Sequence, residues 1–145
     1  MNKCIICLCS NQKRSKEPCL AIDMYDNGVW RVIRKNSNNV DVYALSAKYG
    51  LINAKETIIE NYDLKLENNK EIYQTIKNDS KWLDISKYNN ILISAAQDYL
   101  DCIPKNIKDK SFITSKRFYF TLTQIKKWIV EDKKVSYKNH KWINI

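Results

Sequence analysis

Three groups of polar side chains in this chain follow short apolar runs, and each has a composition suited to holding a ligand. Ser10 and Lys13 follow residues 3–9, Ser46, Lys48 and Tyr49 follow residues 40–45, and Ser94, Gln97 and Tyr99 follow residues 90–94. A lysine ammonium binds phosphate as a compact point charge. Tyr49 offers a ring for stacking, and Gln97 can donate to and accept from a base edge. Two carboxylates, Asp63 beside Tyr62 and Asp23 near Tyr25, bring the means for general acid–base work. The candidate catalytic residues are therefore Asp63, Asp23 and Lys48. The candidate binding residues are Ser10, Lys13, Ser46, Tyr49, Tyr62, Gln97 and Tyr99.

Each has a competing structural role. Asp63 is equally a turn residue, because Asp bonds readily to nearby backbone. Lys13 and Lys48 are equally solvated loop cations, Ser46 a small residue beside a packed helix, and Gln97 a helix-start residue. Other chemistries lack their parts. Two glycines cannot build a phosphate-cradling glycine loop, and no Gly-x-Ser-x-Gly elbow occurs. In the Cys4–Cys7–Cys9 run, Cys7 and Cys9 share one strand face while Cys4 points to the other. With a single histidine far away at His140, buried thiols explain that run better than a metal site. No metal and no cofactor is expected.

Residues 3–9, 40–45 and 90–94 read as buried strands, rich in β-branched and apolar side chains. Glu17-Pro18 reads as a helix start, with Asn27-Gly28 breaking the helical stripe that follows. Residues 51–69 read as irregular. Helical spacing is expected over 71–83 and 117–131, a short helix over 95–103 ended by Pro104, a short strand at 112–114, and an edge strand or hairpin arm over 135–145. Strands alternating with helices predict one α/β domain over residues 1–145, with a mostly parallel sheet covered on both faces. Parallel strands would bring the three polar loops onto one sheet edge, where ligands of such folds bind.

The segment Ser46-Ala47-Lys48-Tyr49-Gly50-Leu51, followed by Asn61-Tyr62-Asp63, resembles the signature of the peroxide-stress protein YaaA family. That family is distantly similar to the base-modifying domain of archaeosine synthase and to uracil-DNA-glycosylase-like folds. Cys9-Ser10-Asn11-Gln12-Lys13 resembles its loop after the first strand, and residues 91–99 its later strand–loop–helix element. The resemblance spans roughly residues 3–130. It implies a three-layer α/β sandwich with a mostly parallel central sheet flanked by helices, and work on nucleobases, nucleotides or nucleic acid. The Gly-Gln-Asp-Pro-Tyr loop and late His-Pro-Ser segment of uracil-DNA glycosylases have no counterpart. Of the archaeosine synthase signature, only the fragment Pro18-Cys19 is present.

Composition is consistent with that partner class. Among 145 residues the formal net charge is +9, and a chain this basic suits a polyanion. Lys-rich composition alone produces the same charge, so the distribution matters more: Lys13, Arg14 and Lys16 follow one apolar run, and Lys105, Lys108, Lys110, Lys116 and Arg117 cluster later. The apolar run at residues 4–8 is too short for a secretory core, and no stretch approaches a membrane span. Five cysteines without a pairing pattern then point to a reducing cytoplasm. Three functions follow as expectations. The first is an enzyme acting on a base or its glycosidic bond in DNA, RNA or a nucleotide. The second is a non-catalytic nucleic-acid-binding protein, and the third a small-nucleotide binder in stress or phage defence. Oligomeric state is left open by the residues.

Overall fold

Alternate side chains of a strand point to opposite faces, so strands that are apolar at every position must be covered on both sides. The structure is a computed structural model; the residues it describes are 3–67, 69–114, 118–130, 135–138 and 141–144, with side chains described through residue 114 and over 121–130. Its central strand β1 (Lys3–Leu8) pairs in parallel with β3 (Asp41–Ser46) on one side and β6 (Asn90–Ser94) on the other. Beyond β6 lies the parallel strand β7 (Phe112–Ile113), and beyond β3 the antiparallel strand β4 (Gly50–Asn53). The order β4-β3-β1-β6-β7 makes a mostly parallel five-stranded sheet.

Parity divides the core into two. Ile5, Cys7, Val42, Ala44 and Leu92 face one layer. There they meet α1 (Ala21–Met24), α2 (Gly28–Asn36) and α7 (Phe118–Val130). Cys4, Ile6, Tyr43, Leu45, Ile91 and Ile93 face the other layer. That layer is built by α3 (Lys70–Lys77), α4 (Trp82–Ile85), α5 (Gln97–Leu100) and α6 (Lys105–Asp109). The result is a three-layer α/β sandwich. Each fully buried Ile or Leu in these strands contributes about 1.5–3 kcal/mol relative to exposure. The separation of Cys4 from Cys7 follows the same alternation.

Local signals explain the helix ends. The Asn27 side chain accepts the Trp30 N–H at 3.0 Å, so Asn27-Gly28 ends one helical piece and caps the next. Asn69 caps α3 in the same way, accepting from Glu71 and Ile72. The Trp30 indole then donates to the Leu8 carbonyl at 2.8 Å and locks α2 to the end of β1.

Two expectations need correction. Residues 17–20 do not open a helix: Cys19–Leu20 form β2, paired antiparallel with β5 (Ile58–Ile59), before α1 begins. Residues 51–69 are not wholly irregular either, because Gly50, with φ 73°, reverses the chain so that β4 pairs back on β3. Of the two readings of residues 135–145, edge strand or hairpin arm, the structure has the hairpin, β8 (Val135–Lys138) paired with β9 (Lys141–Asn144). Lys116, Arg117 and His140 lie outside the described residues. Among the described residues no helix is long and apolar enough to cross a membrane.

Candidate functional site

From β1 the chain goes to β3 on one side, then returns to β6 on the other. The segment after β1 leads to α1 and α2 on one face, and the segment after β6 leads to α5 and α6 on the opposite face. These departures in opposite directions leave a crevice beyond the carboxyl ends of β1 and β6, the place where open α/β sheets hold ligands.

The loop after β1 is fastened along its length. The Ser10 hydroxyl accepts the Asp26 N–H at 2.8 Å and donates to the Gln12 carbonyl at 2.5 Å. Lys13 forms a single antiparallel bridge with Tyr25, and the Arg14 N–H donates to the Met24 carbonyl at 2.8 Å. Asp26 in turn receives Arg31 at 3.2 Å and Arg34 at 2.9 Å. The Arg31 hydrogen bond leads in holding its carboxyl below the usual range. Arg34 also donates to the carbonyls of Ile22 and Tyr25, at 3.1 and 2.5 Å.

Lys13 is thereby held in place. Its ammonium donates to the Ser10 carbonyl at 2.6 Å and the Asn11 carbonyl at 3.3 Å, and sits 4.5 Å from the centre of the Tyr62 ring. Burial lowers its pKa, opposed by the neighbouring Cys9 and Asp63.

Beneath that ring runs a buried hydroxyl relay. Ser46 is fully buried, and its Oγ accepts the N–H groups of Lys48 and Tyr49 at 3.2 and 3.1 Å. Both lone pairs are then occupied, so its proton goes to Tyr62 Oη at 2.7 Å. Tyr62 must pass its own proton to Tyr25 Oη, 2.6 Å away. Burial pushes Tyr25 up to about 12 and raises Tyr62 as well, so the relay is neutral at ordinary pH.

Two adjoining hollows occupy the crevice. The inner one, about 410 Å³, is lined by Cys7 and Cys9 from the end of β1 and by Ser94, Ala95, Ala96 and Gln97 after β6. The outer one, about 370 Å³, is lined by Ser10, Lys13, Asp63, Lys65, Asp98 and Tyr99. Leu8, Cys9 and Asn27 border both. The inner hollow is walled by small side chains, and the outer one carries charges of both signs.

The structure therefore brings together Ser10, Lys13, Asp63 and Tyr99, with Gln97 next door. The Tyr99 hydroxyl stands 3.9 Å from Cys9 Sγ, and burial raises its pKa. The Gln97 amide donates to Asp101 at 2.9 Å. Ser46 and Tyr62 support the site from behind. Lys48 and Tyr49 flank it without lining either hollow: Tyr49 packs edge-on against Tyr62 at 5.4 Å and accepts the Glu60 N–H at 3.0 Å. The Lys48 ammonium lies 5.3 Å from the Tyr49 ring centre. Tyr49, expected among the binding residues, thus stands beside the hollows and not on their walls.

Asp23 is not part of the site. Ala21 and Met24 turn inward from α1, which leaves Asp23 exposed and 3.9 Å from Arg14. Cys9, Asn27 and Asp98 also line the hollows and were not among the expected site residues. Cys9 stands directly after β1 and Asp98 in the first turn of α5, the helix that follows β6, and those positions were the available signal. Among the described residues no group of three or more His, Cys, Asp or Glu side chains could hold a metal ion.

No curated protein and no solved structure matches the chain. One family model does, over residues 5–118, a stretch that begins in β1 and includes both carboxyl-end loops, the hydroxyl relay and the outer hollow. With most of its length in that match, the chain belongs to DUF6884, a family of unknown function.

Proposed function

We propose that this protein is an enzyme acting on a nucleotide unit, free or within a nucleic acid, at the base or its glycosidic bond. The observation that carries the reading is the meeting of Lys13 and Asp63, from separate segments, in one hollow beyond the carboxyl ends of the sheet. The inner hollow, walled by Ala95, Ala96 and Cys7, suits a flat base, with Ser94 and Gln97 able to address its edge. The outer hollow suits the sugar and phosphate. Lys13 attracts the phosphate, and Asp63 takes a proton from an attacking water or stabilises positive charge developing on the sugar. In hydrolysis the water oxygen bonds to the sugar carbon and its proton passes to the carboxylate. The carbon–nitrogen bond breaks with its electron pair leaving on the base. A base inside a duplex would have to be extruded to reach this crevice. The resemblance to the YaaA family and the net charge of +9 support the same partner class.

The test combines a thermal-shift screen of nucleotides and oligonucleotides with mass spectrometry of the reaction products. A ligand that binds only the folded chain raises the melting temperature. Lys13→Ala should weaken a phosphate-bearing ligand by roughly tenfold or more, as loss of a charged hydrogen bond does. Asp63→Asn should keep binding and lose about 10²–10⁴ in turnover. Binding by both the native protein and Asp63→Asn, with no product across the panel, would make this a binder and not an enzyme.

A further inference from the structure

The outer hollow does not end at Asp98. Leu66 and Asp98 also border a third, larger hollow of about 590 Å³ that continues between the start of α3 and α5, with Tyr73, Gln74, Lys70 and Asp101 on its walls. The three hollows are thus neighbours in a row, sharing Leu8, Cys9 and Asn27 at the first boundary and Leu66 and Asp98 at the second. Their characters alternate. Small side chains wall the first, mixed charges the second, and an aromatic ring with apolar stems the third. A single nucleotide fits within the first two, and a pocket for one ordinary small ligand spans about 300–1,000 Å³. The third hollow, next in line past Leu66 and Asp98, offers room for a further unit of a longer ligand.

We infer that the ligand is a strand of at least two nucleotides, with the second base lying against Tyr73 in the groove between α3 and α5. This rests on the nucleotide reading of the inner hollows. The groove is poorly suited to a phosphate, since Asp98 and Asp101 outnumber Lys70 there. It is suited to an uncharged base, because an aromatic ring supplies a stacking surface and carboxylates accept from exocyclic amino groups. The linking phosphate falls near the outer hollow, where Lys13 and Lys65 stand. Tyr73 is fixed at the groove's edge by its hydroxyl, which donates to the Asp101 carbonyl at 2.5 Å. The chain between Leu66 and α3 turns at Glu67, whose φ of 40° is uncommon for a residue with a side chain. Backbone of that kind concentrates at ligand sites.

The experiment compares mononucleotides, dinucleotides and trinucleotides by isothermal titration with the whole chain. Binding should tighten by about tenfold from one nucleotide to two, the scale of one base stacked on an aromatic side chain. The gain should be larger when the second base carries an amino group than when it is uracil or thymine. Gln74 is exposed on α3, so Gln74→Trp fills the groove without disturbing the core. It should abolish the length gain while mononucleotide affinity stays within about twofold, and Tyr73→Ala should act in the same direction. Equal affinities for one and two nucleotides would overturn the inference while leaving the nucleotide reading intact, as would a length gain that Gln74→Trp leaves unchanged. No binding at any length would remove both.

Discussion

Tyr62 is the residue on which most of the site's geometry converges. Its hydroxyl joins Ser46 to Tyr25, and its ring lies 4.5 Å from the Lys13 ammonium and 5.9 Å from that of Lys48. Phe at this position keeps the ring and removes only the relay. The Ser46 proton would then lack its acceptor in a fully buried setting, at a cost of about 1–3 kcal/mol. Tyr62→Phe should therefore lower the unfolding free energy, read from urea denaturation, by that amount and leave the Lys13 contact with the ring in place. A variant as stable as the native protein would mean that the relay carries no net energy.

At the scale of elements, the turn from β3 into β4 converts a run of signature residues into a brace. Gly50 stands at φ 73°, and a Cβ there would meet Asp79 Oδ2 at 3.2 Å. That same oxygen accepts the Leu51 N–H at 3.4 Å. Gly50→Ala should destabilise by about 1–2 kcal/mol from the left-handed backbone alone, with some added cost for moving the carboxylate. Denaturant unfolding measures this directly, and hydrogen exchange should show the loss concentrated in β4. The segments after β1 and β6 are held differently. Ser10, Asp26, Arg31 and Arg34 fix the first through side-chain bonds, whereas the second is fixed by burial of Tyr99 and Leu100 in the core.

For the molecule as a whole, burial of acids on both faces of the sheet sets an alkaline limit to stability. Tyr25 is pushed by burial from 10.0 to about 12, Cys4 from 9.0 to about 12, and Cys102 from 9.0 to about 11. In each case the folded pKa lies above the unfolded one, so the folded chain binds more protons through the interval between them. The associated stability is complete below the unfolded values and is lost as pH rises from 9.0 for the thiols, or 10.0 for the tyrosine, through the folded values. Urea midpoints should hold steady near about pH 7 and fall steeply by about pH 11. A flat profile would mean that these groups become solvated before the chain unfolds.

Sequence alone was enough to place β1, β3 and β6, because a strand that is apolar at consecutive positions has few other places to go in a chain of this size. It was also enough to mark Asn27 and Gly28 as a helix boundary, since a capping side chain acts within three residues of itself. That Ser10, Lys13, Asp63 and Tyr99 would gather at one edge of the sheet was legible because they follow strand ends or carry ionisable groups beside an aromatic. What the sequence could not decide was orientation. Whether Asp23 enters the crevice depends on which side of α1 packs inward, and the burial of Ala21 and Met24 settles that only once the layer has formed. Tyr49 and Lys48 read as ligand contacts until the β3–β4 reversal turned them against Tyr62. Tyr25 gained its place through Tyr62, a partner far along the chain, and such long-range contacts exist only after the sheet has brought its strand ends together.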